Sequence, residues 1–263
     1  RCCSSAASDV YKRQAKYIAT STLEAGLDVK SMAETSTKVF ILEVMGRHAG
    51  WIAAASCLAA SKAGDPPHII LLPEVPFEKT KFITQVKQTV KEQGYCVIVA
   101  SEGTQTKNGK FLADSGLTDA FGHKQLGGVA PVLAGMISKI GLKNHWAVAD
   151  YLQRSARHLA SKTDLDQAYA VGEHAVKLAI AGKTALMPII KRTSDSPYKW
   201  KIATAPLKNV ANIEKTMPKK FISKSGFEIT QAGKTYLSPL IKGEAPIKYV
   251  NGLPDVAELK KIK

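Results

Sequence analysis

The stretch EVMGRHAGWIAAA, Glu43–Ala55, sets the expected fold of this chain. It begins inside an apolar run, Lys38–Met45, and passes through a glycine, an arginine and a histidine into an alanine-rich segment. A near-continuous apolar run with β-branched residues is typical of a strand buried on both faces, and alanine favours a helix. The stretch therefore predicts a strand, a loop and a helix in succession.

The same alternation recurs along the chain. Further strands are predicted at His68–Glu74, Tyr95–Gly103 and His145–Tyr151. Helices are predicted at Gly50–Gly64, Phe77–Gly94, Leu126–Gly141 and Asp164–Gly182, the last with Thr163 as its N-cap. Strands separated by helices of this length indicate βαβ units and a parallel sheet. The predicted fold class is α/β, a Rossmann-like sandwich.

The pattern changes after Gly182. Two apolar segments, Ala185–Arg192 and Lys199–Leu207, flank a Ser-Asp-Ser-Pro turn and predict a hairpin, and short helices are expected near Val210–Met217 and Glu228–Lys242. We therefore divide the chain into an α/β domain over residues 15–182 and a mixed α+β, basic extension over residues 183–263 that packs on it.

The first fourteen residues, RCCSSAASDVYKRQ, match no periodic template and hold no apolar segment of the kind that a secretory signal needs. We interpret residues 1–14 as a non-native leader; a native disordered tail is the alternative. Outside it, Cys57 and Cys96 show no metal-binding spacing and are expected as reduced thiols in the core of a cytoplasmic protein.

Composition narrows the classes of function. Of the 263 residues, 45% are hydrophobic, and no apolar run approaches the roughly 18 residues that would span a bilayer. The net charge is +15, and residues 183–263 hold 16 Lys and Arg against 6 Asp and Glu. A basic excess indicates anionic partners. Because aromatics are only 7% and basic residues cluster no further than pairs such as Lys219-Lys220, small phosphorylated ligands are favoured over nucleic acid.

Polar side chains follow three of the predicted strands, where ligands bind in open parallel sheets. Arg47 and Arg154 offer planar forks that suit phosphate oxygens, and Glu102 can accept hydrogen bonds from sugar hydroxyls. The alternatives are a surface ion pair for Arg47 and a loop carboxylate bonded to backbone N–H groups for Glu102. No histidine has metal-ligand spacing, so no metal site is predicted within the chain.

Three motifs together resemble the 6-phosphofructokinase family. EVMGRHAGWIAAA is similar to the family's sugar-phosphate loop, ASEGT to its carboxylate-bearing strand end, and DYLQR to its final substrate element, in family order. The likeness runs from about Ala15 to the C-terminus, and three ordered matches are far more specific than one glycine pattern. The resemblance implies phosphoryl transfer to fructose 6-phosphate, giving fructose 1,6-bisphosphate in glycolysis, by a cytoplasmic, Mg²⁺-dependent homo-oligomer.

The resemblance also implies roles for particular residues. The substrate-binding set would be Lys38, Met45, Gly46, Arg47, Glu102, Tyr151 and Arg154. In this set Arg47 would lie near the sugar or its transferred phosphoryl group and could stabilise the transition state, and Glu102 would accept a sugar hydroxyl. Tyr151 and Arg154 would bind the 6-phosphate. Lys38 would reach the substrate of a neighbouring subunit.

Departures from the family pattern bear on the phosphoryl donor. Tyr151 stands where ATP-dependent bacterial enzymes usually have histidine, and the long basic extension resembles the pyrophosphate-dependent branch. Pyrophosphate is therefore the expected donor, with ATP as the alternative.

Two catalytic elements of the family are not found in this sequence. It contains neither a Gly-Gly-Asp donor loop nor a Thr-x-Asp-x-Asp loop with the catalytic base. We expect a C-terminal fragment that is inactive alone and whose Mg²⁺ ligands lie mostly elsewhere. A non-catalytic sugar-phosphate-binding protein and, less favoured, a basic nucleic-acid binder remain as alternatives.

Overall fold

The computed structural model describes residues 4–118, 124–126 and 128–257, with side chains over 14–114 and 128–257. The helices are α1 Ser4–Met32, α2 Trp51–Ala55, α3 Lys79–Gln93, α4 Val129–Ser138, α5 Asp150–Ser155, α6 Lys162–Ile180 and α7 Gln231–Leu237. The strands are β1 Val39–Val44, β2 Ile69–Leu71, β3 Cys96–Ser101, β4 Asp114–Thr118, β5 Lys124–Leu126, β6 Asn144–Val148, β7 Leu186–Asp195, β8 Tyr198–Pro206, β9 Tyr249–Val250 and β10 Leu253–Pro254. None of the helices in these ranges is long and apolar enough to cross a membrane.

A four-stranded parallel sheet forms the centre of the fold, in the order β2-β3-β1-β6. Strand β1 therefore lies between β3 and β6, with Val44 opposite Ser101 and Glu43 opposite Val148. This arrangement confirms the predicted α/β fold with a parallel sheet. It also brings the carboxyl ends of the three strands that precede the polar motifs side by side.

Both faces of the sheet are buried, as the continuous apolar strands predict. On one face Ile41 of β1 packs with Phe82 of α3 and Leu133 of α4. On the other face Leu42 packs with Ile18 of α1 and with α2. Adjacent residues of β1 thus enter different cores, which is the two-residue period of a strand. Helix α1, which the sequence analysis did not predict, supplies much of the second layer.

The residues after 182 complete the second core. Phe221 and Leu237 are buried with the residues of α1 and α2, and Phe227 accepts a backbone hydrogen bond from Ile70 N–H at 2.9 Å beside β2. The predicted hairpin is confirmed as antiparallel β7 and β8. Its Arg192 lies over the rings of Tyr198 and Tyr236, which ties the hairpin to α7.

Two helix predictions differ from the structure. The helix expected over Gly50–Gly64 ends at Ala55 and tightens into a 3-10 turn, Ser56–Ala59, where Ser56 Oγ donates to the Ala53 carbonyl. Such a bond from a serine side chain competes with regular helix geometry. The N-cap of α6 is Ser161 and not Thr163, because the Ser161 side chain accepts the Asp164 N–H.

Two further predictions, one of a helix and one of the end of a strand, were wrong. No helix forms over Val210–Met217; a 3-10 turn at Leu207–Asn209 is followed by irregular chain whose backbone groups bond to other parts of the fold. The strand expected over His145–Tyr151 ends at Val148, and Tyr151 lies on α5. Asp150 at φ 39° makes that break.

The interpretation of residues 1–14 as a non-native leader stays a prediction, because it concerns the origin of the segment. Residues 1–3 lie outside the described residues. Helix α1 begins at Ser4, and Gln14 is buried.

Candidate functional site

The three polar motifs meet at the carboxyl edge of the sheet through direct hydrogen bonds. Gly46 N–H donates to Glu102 Oε1 at 3.1 Å, which joins the loop after β1 to the loop after β3. Met45 N–H donates to Gln153 Oε1 at 3.3 Å, which joins the same loop to α5. Sequence patterns placed these residues in separate loops. The strand order brings them together.

Gly103 fixes the position of the loop that carries Arg47. A Cβ atom at Gly103 would lie 1.9 Å from the carbonyl oxygen of Arg47, so only glycine allows this approach. Gly46, at φ 142°, has its carbonyl bonded by Ser101 Oγ at 2.5 Å. The two backbones are therefore held against each other, and the Arg47 side chain begins from a defined point.

Gln153 is a site residue of the DYLQR motif to which the sequence assigns no role. Its side chain is fully buried, and its amide nitrogen donates to Gln14 Oε1 while its oxygen accepts from Met45 N–H. A glutamine in a short polar motif gives no sign of burial, so sequence alone could not have identified this bridge.

Tyr151 and Arg154 lie on the exposed side of α5. Tyr151 is 67% exposed, and the Arg154 guanidinium stands 5.4 Å from the centre of its ring. Within the described part of the chain, no carboxylate lies within ion-pair distance of Arg154. The guanidinium is thus available to an anionic ligand at this edge.

Arg47 lines a cleft of about 660 Å³ between the loop after β1 and the residues after 182. The other lining residues are Ala15, Gly46, His48, Ala49, Trp51, Met187, Ile213, Glu214, Lys215, Tyr236, Leu237 and Leu240. The Nε atom of Arg47 is buried and has no hydrogen-bond partner among the described residues. A buried donor without a partner costs free energy, which a bound anion would recover.

Glu43 is a second residue that sequence reasoning missed. It is buried beneath the site, and its Oε2 accepts the Ala130 N–H at 2.7 Å at the start of α4. Burial raises the pKa of the Glu43 carboxyl; hydrogen bonds from α4 oppose this, and the charges of Glu102 and Asp150 reinforce it. The Glu43 carboxyl therefore anchors the start of α4 beneath the site, in surroundings that disfavour its charge.

Lys38 does not join these residues within the chain. It precedes β1, where its carbonyl accepts the Cys96 N–H at 2.8 Å. A strand rises about 3.3 Å per residue, so Lys38 lies about 20 Å from Met45, at the opposite end of β1. The proposed role of Lys38 at a neighbouring subunit's site stays a prediction.

No three His, Cys, Asp or Glu side chains within the described ranges lie close enough together to hold a metal ion. The described side chains therefore do not form a Mg²⁺ site among themselves. Cys57 and Cys96 are free buried thiols, as expected.

Comparison with known proteins gives the family of the chain. The family model described as phosphofructokinase matches residues 19–179. A pyrophosphate–fructose 6-phosphate 1-phosphotransferase of Halomonas elongata is 64% identical over 94% of the chain. A protein of the same name from Xanthomonas campestris is 57% identical over 94% of the chain.

A solved structure shows the same similarity in three dimensions. The crystal structure of a pyrophosphate-dependent phosphofructokinase from Marinobacter aquaeolei superposes with a TM-score of 0.83 at 55% identity and covers 95% of this chain. The chain spans 59% of the length of the Halomonas elongata relative and 61% of the Marinobacter aquaeolei chain.

Proposed function

Since the chain belongs to the phosphofructokinase family, we propose that it carries the sugar-phosphate half of a pyrophosphate-dependent phosphofructokinase. That enzyme moves a phosphoryl group from pyrophosphate to fructose 6-phosphate and gives fructose 1,6-bisphosphate, a step of glycolysis. The observation that carries the proposal is the direct bonding of all three polar motifs at one sheet edge, by Gly46 to Glu102 and by Met45 to Gln153.

Each site residue then has a physical task. Arg154 and Tyr151 bind the 6-phosphate, because the guanidinium fork and the phenol are exposed together on α5. Glu102 uses one carboxylate oxygen for Gly46 and leaves the other to accept a sugar hydroxyl. Arg47 lies along the cleft, where its charge can stabilise the moving phosphoryl group.

The named relatives support a proposal for the donor, and the sequence supports one for the activity of the chain. The two relatives named for pyrophosphate favour it over ATP as the donor. The 263 residues contain neither Gly-Gly-Asp nor Thr-x-Asp-x-Asp, so we propose that they bind the sugar phosphate without turning it over alone. A non-catalytic sugar-phosphate-binding protein is the second candidate, which the same two sequence features favour.

The setting of the enzyme completes the proposal. The free thiols of Cys57 and Cys96 suit a reducing cytoplasm. Lys38, distant from the site of its own chain, suits a homo-oligomer in which it reaches a neighbour's substrate. Mg²⁺ is proposed for the whole enzyme from family membership, with most of its ligands outside the described part of this chain.

The test begins with calorimetric titration of fructose 6-phosphate into the chain. We expect saturable binding of fructose 6-phosphate by the chain. Arg47→Ala should weaken that binding about tenfold. The chain is then joined to the portion of the Halomonas elongata relative that has no counterpart in it, and turnover is measured with pyrophosphate and with ATP. Turnover of fructose 6-phosphate with pyrophosphate as the donor, and none with ATP, supports the proposal. Binding without turnover by the chimera would favour the non-catalytic candidate, and absence of binding by the chain would refute both.

A further inference from the structure

Ile213, Glu214 and Lys215 line one side of the Arg47 cleft although they lie far along the chain from the site motifs. Together with the two residues that follow them they are here called the 213–217 segment. The Lys215 carbonyl accepts a hydrogen bond from Trp51 Nε1–H at 2.7 Å. The Glu214 carboxylate lies 3.7 Å from His48 Nε2. Two neighbouring residues of the segment therefore contact the loop and helix that follow β1.

The end of the segment is held by Glu74, at the carboxyl side of β2. Glu74 Oε1 accepts Met217 N–H at 2.9 Å and Gly50 N–H at 3.0 Å. The same carboxylate thus binds the start of α2 and the end of the segment. The Met217 side chain is buried in the second core. These contacts fix the backbone of Lys215 relative to Arg47.

The cleft carries more positive charge than the described protein neutralises. Neither Arg47 nor Lys215 has a carboxylate within ion-pair distance among the side chains described. Glu214 is the one acidic residue among the lining residues, and it faces His48. Arg47 also has a buried Nε without a partner in the same part of the chain. Two cations that have no acidic partner among the described side chains line one cleft, which indicates an anionic ligand.

We propose that Lys215 binds the phosphoryl group that Arg47 also contacts, and so is a substrate-binding residue contributed by the basic extension. This inference rests on the proposed function and adds a residue to its site. A lysine ammonium is a compact charge with three donors, which complements the planar fork of arginine on one phosphate. The phosphoryl group can belong to fructose 6-phosphate or to pyrophosphate, and titrating each ligand separately distinguishes them.

Trp51 is a positioning residue in this arrangement. Its indole N–H donates a hydrogen bond to the Lys215 carbonyl, and the proposed phosphoryl ligand does not contact it. Trp51→Phe removes that donor and keeps an aromatic ring against Phe221 and Tyr236. The affinity for the phosphoryl ligand should then fall about threefold, a loss of about one neutral hydrogen bond.

The experiment compares Lys215→Ala with Lys219→Ala, an exposed lysine on the 3-10 turn Lys219–Phe221 that does not line the cleft. Each variant is titrated by calorimetry with fructose 6-phosphate and with pyrophosphate. Lys215→Ala should weaken binding of at least one ligand about tenfold, Lys215→Arg should restore most of it, and Lys219→Ala should leave both affinities unchanged. Equal affinities for the unmodified chain and Lys215→Ala would overturn the inference.

A labelling readout separates this inference from the proposed function. Amine acetylation at Lys215 and Lys219 is measured by mass spectrometry with and without each ligand. Selective protection of Lys215 supports the inference, even if only pyrophosphate protects and fructose 6-phosphate does not bind. Sugar-phosphate binding that depends on Arg47 but leaves Lys215 unprotected sinks the inference and leaves the proposed function intact. No binding and no protection by either ligand overturns both.

Discussion

Gly46 and Glu102, which are 56 positions apart in the chain, are joined by a hydrogen bond of 3.1 Å from the glycine N–H to the glutamate Oε1. The bond uses one oxygen of the carboxylate and orients the other. The loop after β1 and the loop after β3 therefore act as one unit, and a change at Glu102 tests its structural and binding roles separately.

Glu102→Gln keeps an oxygen that can accept the Gly46 N–H but removes the negative charge. A charged acceptor binds a hydroxyl more strongly than a neutral one, so affinity for fructose 6-phosphate should fall about fivefold. Thermal unfolding should occur at nearly the same temperature. An unchanged affinity, measured by calorimetry, would contradict the role of Glu102 as a sugar-binding residue.

Arg154→Ala should weaken binding of fructose 6-phosphate about tenfold, because a bidentate guanidinium–phosphate contact is lost. Stability should change little, since the side chain is exposed and contacts the Tyr151 ring alone among the interactions described for it. Arg154→Lys keeps the positive charge without the planar guanidinium. Its affinity for fructose 6-phosphate should lie between those of Arg154→Ala and the unmodified chain. Lys139→Ala, at the far end of α4, serves as the remote control. Equal binding by Arg154→Ala and the unmodified chain rules out the assignment of Arg154.

Gly103→Ala should destabilise the protein by about 2 kcal/mol or more, because the new Cβ would lie 1.9 Å from the Arg47 carbonyl oxygen and the backbone must move. The matched control is Gly135→Ala, where no atom lies within 4 Å of the added Cβ and the residue is inside α4. That change should stabilise by about 0.5–1 kcal/mol. Urea unfolding of both variants measures the difference, and similar losses in the two would argue against a tight contact at Gly103.

Stability should fall in mild acid because of His68. Its Nδ1 accepts the Val97 N–H at 2.9 Å and its Nε2 donates to the Gly64 carbonyl at 3.2 Å, so the ring is held neutral. Burial lowers the pKa of His68 below its usual 6.5, against smaller opposing effects of Gly64 and Asp65. The unfolded chain then binds more protons than the folded protein below pH 6.5.

The free energy of unfolding should therefore be highest above that pH and fall as the pH drops through the folded-state pKa. Urea unfolding between about pH 7.5 and about pH 5 measures the slope, which His68→Gln should reduce. His158→Gln, at an exposed position on the turn Arg157–Leu159, should keep the full slope. A His68→Gln variant as acid-sensitive as the unmodified chain would show that other groups cause the loss.

The sequence determined the class of the fold and the identity of the site loops. Continuous apolar runs such as Val39–Val44 can be stable only when both faces are covered, so periodicity predicts a parallel sheet between helices. Arg47, Glu102 and Arg154 were recognised as candidates because each side chain carries its chemistry in itself and follows a strand.

Only the tertiary structure decided which of these residues meet and what supports them. Strand order is set by packing between distant segments, and it placed β1 between β3 and β6 while leaving Lys38 at the opposite end. No local sequence pattern reveals the buried position of Gln153 or the place of the 213–217 segment beside the Arg47 cleft. Their hydrogen bonds depend on partners more than 100 positions away. Local sequence specifies periodicity and side-chain chemistry, whereas long-range contacts form only when the whole core has packed.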